Sequence, residues 1–212
     1  MRCCAFMLLF VAVSLAPAVI IDRIAVIIGN SIVKDSDIDR NLRVTSFLNR
    51  EPLNFNNAAR KTAANRLIDQ IFIRREIQLG EYPVATPQET NSQLDRLKEE
   101  RYRSKLAFEQ ALHRYGLTEL ELRTEFQWQL TVLSFIEIRF KPAVLITDDD
   151  INKYYQEHAA TLQRQYPGKS LDDLREQIRD TLTGEQVNQR FFRWLQYQRK
   201  NNKIQFCEES LA

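Results

Sequence analysis

The sequence predicts a mainly α-helical protein with one small β-hairpin that a C-terminal strand joins. Three observations carry that expectation. Glycine is scarce, 5 in 212 residues, and the 27% of charged residues are interleaved rather than blocked. Apolar residues recur at helical spacing in several long stretches, most of them opened by a Ser or Thr cap. Only two short segments, one near each end, carry the β-branched or alternating pattern of strands.

The longest two-faced stretch is Thr118 to Phe140. Leu122, Phe126, Leu130, Leu133 and Phe140 make one stripe, and Trp128, Val132, Phe135 and Ile138 a second. Thr118 caps it with Glu121 as capping-box partner, and Pro142 stops it. A helix there spans roughly 35 Å and is expected to be the central post of the molecule.

In chain order, Met1 to Ala18 comes first. Arg2 is its only charge, Phe6 to Leu15 is apolar, and Ala16-Pro17-Ala18 closes it. That is the pattern of a secretory signal peptide cleaved after Ala18, with an uncleaved anchor as the alternative. Cys3 and Cys4 leave with it, so Cys207 has no partner for an internal disulfide. Loss of Arg2 leaves 29 basic residues against 28 acidic ones, which gives no reason to expect nucleic acid or a charged membrane surface.

Ile20 to Ile28, Gly29-Asn30-Ser31 and Ile32-Val33-Lys34 read as a β-hairpin. Ser36 with Asp39 caps a helix to about Asn49. A longer helix runs from about Asn57 to Gly80, apolar on two faces through Ala59, Ala63, Leu67, Ile71 and through Ile68, Phe72, Leu79. Gly80 suits its C-terminal cap. Thr86-Pro87-Gln88-Glu89 opens a polar, peripheral helix to about Tyr102 that is anchored by Leu94 and Leu97. Ser104 opens a shorter one, closed by Gly116. After the central helix, Thr147 and three aspartates begin a helix to about His158. Ala159 to Lys169 reads as linker. Ser170 then caps a helix to about Lys200, and Lys203 to Phe206 is the third strand for the opening hairpin. The domains expected are thus 1–18 as signal peptide, 19–158 as an N-terminal helical region, 159–169 as linker, and 170–212 as helix and strand completing the same module.

No arrangement for catalysis stands out, and a non-enzyme is expected. His113 and His158 are isolated on polar faces. There is no C-x-x-C, H-E-x-x-H, G-x-S-x-G or glycine-rich phosphate loop, so neither a metal nor a cofactor is expected. Asp148-Asp149-Asp150 fails as a calcium loop, with Lys153 and Ala159 where Gly and Glu are needed. Phe108 to Phe126 has the outline of a helix-turn-helix, but Glu119, Glu121 and Glu125 on its second helix exclude a DNA reader. The aromatics are core residues first. Their number leaves room for an apolar groove that takes extended polypeptide, with Phe47, Phe72, Tyr102, Phe108, Trp128, Phe135 and Tyr154 as candidate peptide-binding residues.

Ile21 to Asn30, followed by Ile32-Val33-Lys34-Asp35-Ser36-Asp37-Ile38, resembles the opening of SurA-type periplasmic chaperones. The resemblance continues at Leu67-Ile68-Asp69-Gln70, at Thr86 to Leu97, at Gly116-Leu117-Thr118, at Ile146 to Ile151 with Tyr154-Tyr155, and at Asp173 to Arg179, Trp194-Leu195 and Ile204. The family carries one or two parvulin prolyl isomerase domains between its two parts. Lys153 to Ser170 is too short for one. The resemblance therefore implies the chaperone module alone: an ATP-independent holdase of the periplasm, binding unfolded outer-membrane or exported polypeptides, without isomerase activity and without stable membrane insertion. The alternative is a non-catalytic envelope adaptor, a homodimer in which the C-terminal helix completes a neighbour's core.

Overall fold

The computed structural model describes residues 22–207. The expected signal peptide and the start of the first strand at Ile20 lie outside the described residues. The elements are β1 (Ile24–Ile28), β2 (Ser31–Lys34), α1 (Asp35–Asn49), α2 (Asn57–Leu79), α3 (Pro87–Arg101), α4 (Lys105–Tyr115), α5 (Glu119–Phe140), a 3-10 turn (Lys141–Ala143), α6 (Asp148–Gln165), α7 (Leu171–Asn201) and β3 (Ile204–Phe206). The fold is mainly α with a three-stranded antiparallel sheet in the order β2-β1-β3.

The sheet closes the chain on itself. β1 pairs with β3 through Val26↔Phe206 and Ile28↔Ile204, so the last element completes the first, as the alternation of 203–206 predicts. Between Ile24 and Val26 the β1–β2 register shifts, making Ala25 the extra residue, and Ala25 and Val26 are both buried. Val26, Ile28 and Val33 turn inward onto Ile38 and Leu42 of α1 and onto Ala63, Ala64, Ile68 and Phe72 of α2. The small Ala63 and Ala64 let α2 approach the sheet closely.

Local chemistry sets most helix starts. Thr86, Thr118, Thr147 and Ser170 each accept a hydrogen bond from the third backbone N–H of their helix. Glu89, Glu121, Asp150 and Asp173 in turn accept one from the backbone N–H of the cap residue. Gly116 ends α4 at φ +63°, where a Cβ is unfavourable.

Four apolar clusters hold these elements together. The first joins the sheet, α1 and α2. In the second, α1 and α5 meet α3 and α4 around Phe47, Leu94, Phe108 and Phe126. The third joins α2, α5 and the second half of α7 around Ile73, Ile77, Trp128, Phe135, Phe140 and Phe191. The fourth is a satellite between α6 and the first half of α7, built on Ile151, Leu162, Leu174 and Ile178. Ion pairs stitch the joints. Arg60 reaches Asp35 at 2.7 Å and Asp39 at 2.5 Å, Arg199 reaches Asp69 at 2.7 Å, and Arg139 reaches Glu76 at 2.7 Å.

Three expectations need correction. The linker assigned to 159–169 is mostly helix, because α6 runs on to Gln165. Leu162, a lone aliphatic in a polar stretch, buries against α7 and carries the helix forward. Ser36 is not the cap of α1. Lys34 holds that position with Asp37 closing the box, while Ser36 donates its hydroxyl to Asp22 at 2.6 Å. Gly80 does cap α2, at φ −94°, while Glu81 takes the positive φ (+50°) and Gly80 makes room for the Tyr82 ring. On α5, Leu133 is 60% exposed and Thr131 is buried in its stead, its hydroxyl donating to the Gln127 carbonyl at 2.7 Å and accepting from Ala85 N–H at 3.0 Å.

Candidate functional site

Helices α1, α2 and α5 share the clusters pairwise. α1 and α2 meet at the first, α1 and α5 at the second, α2 and α5 at the third. Three helices joined only at their corners form a triangle. Aromatic bulk at the second and third corners holds the sides apart, and the middle stays open as a cleft of about 420 Å³.

Each side contributes a strip of the lining. β2 gives Ile32 and Val33, and α1 gives Asp37, Arg40, Asn41 and Val44. α2 gives Leu67, Gln70, Ile71 and Arg74, and α5 gives Leu120, Glu121, Thr124 and Glu125. Val33 and Val44 are buried at the floor. Ile32 and Leu120 stand on the rim, 44% and 69% exposed. Neighbouring strand residues point to opposite faces of a sheet. A cleft touching both Ile32 and Val33 therefore opens along the edge of β2, which is an edge strand. A narrower recess of about 160 Å³ shares Arg74 and Thr124 with it and extends to Ile77, Val84 and Trp128. From Leu67 to Gln78 the two span about 16 Å of α2, room for about five residues of extended chain.

The charges in the cleft are mixed, with Asp37, Glu121 and Glu125 facing Arg40 and Arg74. Arg40 lies 3.5 Å from Glu121 and 3.8 Å from Asp37, and the Arg74 guanidinium stacks 3.9 Å above the Trp128 ring. Burial pushes the pKa of Arg74 down from the ordinary arginine value, with Glu125 opposing, and the same holds for Arg66, which donates to Asn41 at 3.1 Å. These are partly desolvated cations with donors to spare. An apolar floor, greasy rims and mixed charges suit a neutral or mixed polypeptide better than a strongly charged one.

The seven candidate aromatics lie elsewhere. Phe47, Phe72, Phe108, Trp128 and Phe135 are buried in the corner clusters. Tyr102, half-buried, stacks on Phe47 at 6.3 Å and meets Phe108 edge-on at 5.3 Å. Tyr154 belongs to the α6–α7 satellite and stacks on His158 at 4.1 Å. None of them lines the main cleft, and Trp128 alone borders its extension. Five of the seven are thus part of the packed frame rather than of the cleft lining. The residues that sequence reasoning missed are aliphatic: Ile32, Leu67, Ile71 and Leu120, with Arg74. The second apolar face of α2, through Leu67 and Ile71, was the visible signal.

Among the described residues no group of His, Cys, Asp and Glu is placed to hold a metal ion, and no helix is long and apolar enough to cross a membrane. No protein-family model matches this chain, and no curated protein matches it.

Proposed function

We propose that this protein is an ATP-independent holdase of the periplasm that binds unfolded outer-membrane or exported polypeptides in the cleft between α1, α2 and α5. It is a binding module rather than an enzyme, and it acts without a prolyl isomerase domain. The observation that carries this reading is the open, apolar-floored triangle held apart by aromatic corners. The resemblance of the chain to SurA-type chaperones, from its opening strand to its closing one, supports the same reading. Affinity comes from burying client aliphatic and aromatic side chains, at about 25 cal/mol per Å² before ordering costs. Apolar contact is non-directional, so the client's sequence is loosely specified.

The test is light scattering from a urea-denatured outer-membrane barrel diluted into buffer with the folded protein at several-fold excess. Suppressed aggregation without ATP is the expected result. Undiminished aggregation would sink the reading.

A further inference from the structure

A second opening lies on the far side of the α2–α5–α7 corner. It is a recess of about 620 Å³ between the end of α5, the 3-10 turn, Tyr82 and α7. Arg139, Arg190 and Arg193 line it, with Ile138, Phe140 and Pro142 beside them, and no acidic residue is part of the lining. Two of the nearby acids are engaged. Glu76 pairs with Arg139 at 2.7 Å and Glu137 with Lys141 at 2.9 Å. Arg190 has no ion pair among the described residues, and Arg193 donates only to the Gln189 carbonyl of its own helix at 3.3 Å. From Gln186 to Phe206 the chain carries five cations and no acid. Like charges three positions apart on one helix repel, so Arg190 and Arg193 cost stability when nothing sits between them.

The apolar wall is as close as the charge. The Arg139 guanidinium carbon is 5.6 Å from the centre of the Phe140 ring, and Arg139 spends one nitrogen on Glu76 and on the Tyr82 hydroxyl at 3.0 Å. A fitting ligand must therefore present an anion and an apolar group from nearly the same point. Guanidinium matches a carboxylate in shape as well as charge. In an extended chain a Glu side chain and its apolar neighbour point to opposite faces. At a chain terminus the α-carboxylate and the last side chain leave the same carbon.

We infer that this recess binds the free C-terminal residue of a polypeptide, its carboxylate held by Arg190, Arg193 and Arg139 and its apolar side chain laid against the exposed Ile138 and Pro142. That the partner is an unfolded polypeptide rests on the holdase reading; the chemistry of the recess does not. The cleft then takes the middle of a client and the recess takes its end.

Three short dye-labelled Ser/Ala peptides test this by fluorescence anisotropy on the full chain: one ending in Phe with a free carboxylate, its C-terminal amide, and an amide with Glu placed before the Phe. The free acid should bind at least about tenfold tighter than either amide. R190Q/R193Q should bring acid and amide to parity with a melting temperature no lower than the parent's, since both side chains reach solvent and their mutual repulsion is removed. R190K/R193K, which keeps the charge and loses the fork, should retain only part of the preference. Equal binding of acid and amide, a Glu amide as tight as the acid, no binding of the acid, or a preference that survives in R190Q/R193Q would each overturn the inference. Aggregation suppression on the same samples keeps the two ideas apart. Suppression without acid preference removes the recess and leaves the holdase. Acid preference without suppression does the reverse.

Discussion

The corners of the α1–α2–α5 triangle and its open middle are built from different residues. The corners hold Phe47, Phe108, Phe126, Trp128, Phe135 and Phe140; Phe47 meets Phe108 edge to face, and Phe135 meets Phe140, Trp194 and Tyr82 in the same way. The middle holds Ile32, Leu67, Ile71 and Leu120 among paired charges. Large flat rings fix the distance between helices, and flexible aliphatic chains are left to meet whatever enters.

If that division holds, damage to a corner lowers stability and damage to the middle lowers binding. The largest effect expected is Phe135→Ala. Phe135 is 0% exposed and touches Tyr82, Phe140 and Trp194. Its loss should cost about 3–5 kcal/mol in urea unfolding, with client affinity per folded molecule unchanged. Weaker binding by the molecules still folded would show that the corner is also a contact surface.

Next come two glycines of opposite sign. Gly116 holds φ +63°, and a Cβ there would strike the Arg43 guanidinium. Gly116→Ala should cost about 1–2 kcal/mol. Gly184 lies inside α7 between the satellite cluster and the α2–α5 corner, with open space where a Cβ would go. Gly184→Ala should add about 0.5–1 kcal/mol. A destabilised Gly184→Ala would mean that α7 needs to bend at this point.

Acid should produce the gentlest effect. The carboxylates of Glu89, Asp150 and Asp173 are held below their ordinary values by hydrogen bonds from the N–H and hydroxyl of Thr86, Thr147 and Ser170; for Asp150 the hydroxyl bond is the larger influence. A carboxylate whose folded pKa is depressed stabilises the fold above its unfolded pKa and loses that contribution as pH falls through the folded one. Stability should therefore hold down to the ordinary carboxylate values, 4.5 for Glu and 3.8 for Asp, and decline below them. In Glu89→Gln/Asp150→Asn/Asp173→Asn the decline, followed by circular dichroism, should be shallower. An identical slope would place the acid sensitivity elsewhere.

The frame was largely legible in the sequence. Ser and Thr caps with an acid three positions on are local signals, and they mark the starts of α3, α5 and α7 without reference to the rest of the chain. The alternation of Ile204 and Phe206 sufficed to pair β3 with the opening hairpin. The end of α6 was not legible, because Leu162 gains its helix only by meeting α7. The cleft was hidden for a like reason. Leu67 and Ile71 look the same in sequence as Ile68 and Phe72, one position along the same helix. Which pair is sealed depends on where the sheet and α1 come to rest, and they cover Ile68 and Phe72. Leu120 stood next to a capping box and gave no periodic signal at all.

One matched pair of substitutions tests the cleft most directly. Leu120 on its rim is 69% exposed, and Leu145, outside its lining, is 79% exposed, so a charge at either leaves the fold intact. Binding of a denatured outer-membrane barrel should weaken at least about fivefold with Leu120→Glu and stay unchanged with Leu145→Glu. Equal affinities for both variants and the parent protein would contradict a client seated between α1, α2 and α5.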